Sequence, residues 1–258
     1  YIFCNQTVRV SVDDEDTRKQ ILALQEQDEN SVDEEGNVTI VDTVTEEEKE
    51  KKITTENQID MEKLKDFDYL KSHYYTVDST TSISSSELDA EEFLKKDMTI
   101  STEGDSPKVL IYHTHSQEAF ADSRKGDESE TVVGMGDYLT ELLTEKYHIP
   151  VLHYKGVYDM IDGKLDRSEA YELAKPKITE ILKKNPDIEV IIDLHRDGVP
   201  ESTHLVTEIN GKKTAKIMFF NGLSRTNSNG NIGYLSNPYI QDNLAFSLQM
   251  KIAAESKY

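Results

Sequence analysis

The 258-residue chain has no tryptophan, one cysteine and six prolines, and sets 29 lysines and arginines against 50 aspartates and glutamates. Each scarcity closes off a class of protein. A lone Cys4 cannot make an internal disulfide, and without a Cys-x-x-Cys pair any transition metal falls to histidine and carboxylate. A net charge of −21 repels phosphate backbones, and there is no basic patch with interleaved aromatics, which argues against a nucleic-acid partner. The apolar start Tyr1-Ile2-Phe3-Cys4 is far too short to span a bilayer. The glycine motifs that cradle phosphates or dinucleotides are missing, as is the Gly-x-Ser-x-Gly elbow. Ser116 is left as the only serine placed for nucleophilic chemistry beside a histidine.

What is present is unevenly spread. Residues 1–105 carry 28 acidic and 11 basic side chains, whereas residues 106–258 carry 22 and 18. We therefore expect an acidic linker over 1–65, a mixed helical and extended lead-in over 66–105, and a folded domain of nearly balanced charge over 106–258. Within the linker, Val38–Val41 reads as a short strand and Glu46–Lys52 as a solvated run. Helical spacing begins at Met61, Leu64 and Phe67, and a short helix over Asp89–Lys96 follows cap candidates Ser84–Ser86.

From Pro107 onward strands and helices alternate. Val109–Tyr112, Val151–Tyr154 and Ile188–Leu194 read as strands, and Val132–Tyr147, Ser168–Lys184 and Asn243–Ser256 as helices. Pro176 predicts a kink or break, and Asn210-Gly211 predicts a hairpin between 203–209 and 215–220. The expected fold class is α/β, with a mainly parallel sheet flanked by helices. Gly134 and Gly136 lie in a helical pattern and suit close helix–sheet packing.

Buried parallel strands present functional groups just past their C-terminal ends. Two strands here end in histidine: Val109–Tyr112 leads into His113-Thr114-His115, with Glu118 three residues on, and Ile191–Leu194 leads into His195-Arg196-Asp197. If these strands are neighbours, His115, His195 and a carboxylate converge into the donor set of an open zinc site. Such a site lowers the pKa of water and polarises a carbonyl. The same pattern also fits structural histidines bonded to backbone carbonyls. Asp197 can orient an imidazole and Arg196 can hold a substrate carboxylate, or the two can pair at the surface. His73, His148, His153 and His204 read as structural.

The runs Val109–Phe120, Asp122-Ser123-Arg124 and Val190–Gly198 closely resemble the stage II sporulation protein P family. So do Tyr74–Asp78, Asn221–Ser224, Tyr234–Tyr239 and Asp242–Gln249, in the same order along the chain. The resemblance implies a zinc-dependent peptidoglycan hydrolase of spore engulfment. It implies an N-acetylmuramoyl-L-alanine amidase that removes stem peptides and an endopeptidase that cuts cross-links. The alternative is a non-catalytic peptidoglycan-binding scaffold with a vestigial metal site. By the same resemblance the partners are peptidoglycan and stage II sporulation proteins D and M. The resemblance also implies action on the extracytoplasmic side of the cell membrane, between mother cell and forespore, and anchoring by a membrane helix ahead of Tyr1. A distant similarity to zinc amidases places His115 and His195 on the metal; its carboxylate position falls on Glu130, while this family's own motif offers Glu118, which we favour as the third ligand. His113, Arg196 and Asp197 are then left to handle substrate or ligands. Family members continue past Tyr258 with a strand whose glutamate is similar to the amidase base, so the resemblance makes 106–258 an amidase-like catalytic domain, apparently truncated, and places that glutamate downstream of Tyr258.

Overall fold

A computed structural model describes residues 60–198, 205–233 and 236–256. Cys4, Val38–Val41, Glu46–Lys52 and His204 lie outside the described residues. Contacts divide the described residues into two compact units, one spanning 99–198 and the other combining 60–98 with those after 204.

The first unit is built on a parallel three-stranded sheet. Strand β1 (Val109–Tyr112) lies between β2 (Val151–His153) and β5 (Val190–Asp193), with Val109 opposite both Val151 and Val190. All four residues of β1 are buried, as a continuous apolar run in a central parallel strand requires. Parallel neighbours need crossovers, which the helices α1 (Val132–Glu141) and α2 (Ala170–Lys184) supply. Between β2 and α2 the chain makes a small hairpin, β3 (Met160–Ile161) and β4 (Lys164–Leu165), turning on Asp162 and Gly163 with φ of 50° and 76°. Two residues at positive φ match the right-handed twist of the flanking strands.

One face of the sheet packs on α2, where Leu110, Tyr112, Ile188 and Ile191 meet Ala174, Ile178 and Ile181. Each large side chain buried there stabilises the unit by roughly 1.5–3 kcal/mol as an upper bound. Pro176 lies inside α2 without dividing it. The helix expected over 132–147 is α-helical only to Glu141 and finishes in a π-turn, Leu142–Lys146. Within α1, Gly136 faces two imidazoles: a Cβ there would lie 2.6 Å from His153 Nε2 and 2.9 Å from His113 Nε2.

The second unit holds the helices Met61–Leu64, Phe67–Tyr74, Ala90–Lys95 and Ile240–Glu255. Asp60, Asp66 and Asp89 cap the first three by accepting from the backbone N–H of Lys63, Tyr69 and Glu92. The third cap was expected at Ser84–Ser86, but Ser84 instead donates its N–H and hydroxyl to Glu87. Leu64, Leu70, Leu88, Phe93, Leu244 and Leu248 form this unit's core. Gln249 donates to the carbonyls of Phe93 and Lys96, which satisfies the end of helix Ala90–Lys95. The Asn210-Gly211 hairpin forms between Val206–Ile209 and Lys212–Ala215, so its second strand stops short of the expected Phe220. Among the described residues no helix is long and apolar enough to cross a membrane.

Two predictions follow from this packing. Gly136→Ala raises intrinsic helix propensity yet crowds two hydrogen-bonded imidazoles, so we expect a loss of about 1–3 kcal/mol in denaturant unfolding. The hydrogen bonds and charge of Arg225 hold the Glu87 carboxyl down at about 2. A carboxyl depressed in the folded state contributes stability above its unfolded pKa and loses it as pH falls through the folded value. Glu87→Gln should therefore cost about 1 kcal/mol at pH 7, and the deficit should shrink as unfolding is measured from pH 4.5 towards 2.

Candidate metal centre

Because β1 and β5 are adjacent and in register, Tyr112 opposite Asp193, the chain segments that leave them start side by side. Thr114 follows β1 and donates both its N–H, at 2.8 Å, and its hydroxyl to the Asp193 carboxylate. This turns the segment after β1 towards β5. The fully buried Asp159 then accepts from the Ser116 hydroxyl and the Gln117 N–H, each at 2.9 Å, and fixes the next turn of the loop. Val132 at the start of α1 donates to the Glu118 carbonyl at 3.0 Å, which closes the loop's far side.

The result brings one atom each of His115, Glu118 and His195 within 4.8 Å of one another. His115 Nδ1 is 3.5 Å from Glu118 Oε1, and His195 Nδ1 is 3.6 Å from Glu118 Oε2. The backbone N–H of Arg196 donates to Glu118 Oε2 at 2.6 Å. Behind His195, Nε2 lies 3.0 Å from Asp193 Oδ1, an ion-pair distance without the alignment of a linear hydrogen bond. Tyr171, on the first turn of α2, sets its ring 5.6 Å from that of His115 and 6.4 Å from that of His195. Arg167, three residues ahead of α2, brings Nη1 to 3.9 Å from Glu118 Oε1.

The charges of this cluster support one another. Burial pushes the Glu118 carboxyl up, but bonds from His115 and His195, the His195 charge and the Arg196 N–H outweigh it and bring it to about 2. Burial pushes the His195 imidazole down, and Asp193 and Glu118 together overcome that and raise it to about 9. For Asp193, burial again opposes ionisation, while His195 and Thr114 hold the carboxyl below its usual range.

The donor set fits a zinc ion. Ligands about 2.0–2.1 Å from a tetrahedral metal stand roughly 3.3 Å apart, close to the two nitrogen–carboxylate separations observed. With Asp193 at Nε2, His195 turns Nδ1 towards Glu118, so a carboxylate stands behind the imidazole on the side away from the cluster.

The other expected site residues fall in different places. Glu130 is bound at the surface by Arg124, through its Nε at 2.8 Å and its backbone N–H, and stands outside the cluster. His113 turns away as well. Its Nδ1 meets the Leu194 carbonyl at 3.0 Å and its Nε2 meets His153 Nε2 at 2.8 Å, while His153 Nδ1 reaches Asp137 at 3.0 Å. Arg196 serves the cluster through its backbone, and its half-buried side chain keeps an Nε without a hydrogen-bond partner. Asp197 is exposed, and the carboxylate behind His195 is Asp193. Asp193, Arg167 and Tyr171 were not singled out from sequence. Asp193 alone carried a signal there, a charged residue ending an otherwise apolar strand.

The chain is 27% identical over 142 residues to stage II sporulation protein P of Bacillus subtilis (strain 168), a match covering 52% of this chain and 35% of that protein. The matched part thus spans about a third of the relative's length. No solved structure matches the chain. The family description Stage II sporulation protein P (SpoIIP) matches residues 10–258, and the chain belongs to that sporulation protein family.

Proposed function

We propose that the protein is a zinc-dependent peptidoglycan hydrolase of spore engulfment, acting on the amide that links stem peptides to the glycan and on peptide cross-links. The observation that carries this reading is the convergence of His115, Glu118 and His195 with Asp193 behind His195. Family membership and the parallel sheet support it, and we extend the fold to a zinc amidase-like one.

His115, Glu118 and His195 would hold the ion. When bound, zinc supplies a Lewis acid that polarises an amide carbonyl and brings the pKa of water down to about 7. The remaining work is done by the chain's own groups. Asp193 holds His195 in position, and the Arg196 N–H keeps Glu118 Oε2 from rotating. Tyr171 gives the two imidazoles an aromatic wall that limits water on that side. Asp159 and Thr114 keep the loop bearing His115 and Glu118 in one conformation. Arg196 and Asp197 remain our candidates for contacts to substrate, and His113, buried with both ring nitrogens engaged, acts behind them as a positioning group. We place the protein on the extracytoplasmic side of the cell membrane, with stage II sporulation proteins D and M as partners.

His115→Ala should abolish stoichiometric zinc binding and release of stem peptides from purified sacculi, both read on the same preparation. A variant that still releases peptides would remove His115 from the chemistry. Sacculus binding without turnover, even in wild-type protein, would favour a scaffold. Asp193→Asn keeps the shape but not the charge behind His195, and we expect zinc affinity to fall about 10- to 100-fold in competition with a chelator.

A further inference from the structure

Arg167 lies beside the cluster with its binding capacity unused. Its side chain is 20% exposed, its Nε is buried without a hydrogen-bond partner, and among the described residues its ion-pair partner, Glu118 Oε1, is 3.9 Å away, beyond hydrogen-bond reach. Glu118 meets this guanidinium at ion-pair range only, its oxygens being drawn to His115, His195 and the Arg196 N–H. A guanidinium offers five donors in a planar fork. Leaving such donors buried and unmatched is costly, and native structures rarely do so without a reason.

The position of Arg167 is held from both sides. The backbone N–H of Ala170 donates to its carbonyl at 3.2 Å at the entry to α2. The Asp162-Gly163 hairpin before it is tied down where the N–H of Asp166 donates to the carbonyl of Asp159, at 2.9 Å. The same Asp159 anchors the loop carrying His115 and Glu118, so the arginine and the triad share one fixed support.

We propose that Arg167 is the substrate-recognition residue of this site, binding a free carboxylate of the peptide close to the scissile amide. The reading rests on the hydrolase assignment above and narrows its substrate class. The planar fork matches a carboxylate bidentately. Its placement against a triad ligand sets the carboxylate within one residue of the bond to be cut. Stem peptides present such a group where a glutamate is linked through its side chain and keeps its α-carboxylate.

The test uses two synthetic probes, L-Ala-γ-D-Glu-L-Lys with a free α-carboxylate on glutamate and the same tripeptide with that group as carboxamide. Binding is measured by calorimetry on metal-free and zinc-loaded protein, with zinc content assayed in parallel. Wild type should prefer the free carboxylate about 10- to 100-fold, and Arg167→Gln should erase the preference at unchanged zinc content. Should Arg167→Gln fail to fold, Arg167→Lys decides, since losing the fork should reduce the preference and an unchanged preference refutes the proposal. Equal binding of both probes by wild type, or a preference that survives Arg167→Gln, also overturns it. Loss of zinc together with the preference overturns it too, because Arg167 would then be holding Glu118. Intact preference in a zinc-loaded protein that leaves sacculi undigested keeps Arg167 as the carboxylate-binding residue, but overturns the hydrolase reading and with it the placement beside a scissile amide.

Discussion

Asp193 ends β5 opposite Tyr112, and its carboxylate receives the N–H and hydroxyl of Thr114 while lying 3.0 Å from His195 Nε2. A buried carboxylate without partners costs several kcal/mol, so the chain is compelled to deliver those donors to it. Meeting that demand draws the segment after β1 and the segment after β5 onto one anchor. His115 is one residue beyond Thr114, and His195 is two residues beyond Asp193. The triad is thus a by-product of satisfying a charge that belongs to the fold.

Around that anchor the charges alternate: Asp193, His195, Glu118, Arg167. Such alternation lets acidic groups ionise in a buried place, and it explains how a strongly acidic protein keeps two carboxylates within one small cluster. A purely structural ion network satisfies itself pairwise. Here Glu118 faces two imidazole Nδ1 atoms at nearly equal distance, one on each oxygen, and both stay beyond ordinary hydrogen-bond length. A second chain of groups, His113, His153, Asp137 and Lys155, runs from the end of β1 towards the surface, and Gly136 leaves the room it needs.

The central strand was legible because four consecutive apolar residues have one stable home, between two parallel neighbours. His115 and His195 were legible for the same reason, since strand ends are where such sheets expose chemistry. Asp193 escaped notice because alternation in a buried strand hides which polar residue points inward; only the pairing with Thr114 reveals it. Tyr171 and Arg167 escaped because neither lies in a motif, and their relevance depends on how α2 docks on the sheet. The cap at Asp89 was missed in favour of upstream serines, because a turn closed by Glu87 and a helix start look alike in Ser-rich sequence. The Asp162-Gly163 turn was written plainly but overlooked, its two strands being only two residues each.

The neighbours β1 and β5 are joined only through everything between them, and the bond from Arg196 N–H to Glu118 closes over 78 residues of sequence. A contact of that range must overcome the entropy of closing a long loop before it is rewarded. During synthesis His115 and Glu118 therefore emerge as an incomplete pair, and the third donor arrives only when β5 has found its place. A chain caught partway would present two weak ligands rather than a trap for metal. Metal occupancy in this protein would thus report that the first unit has finished folding.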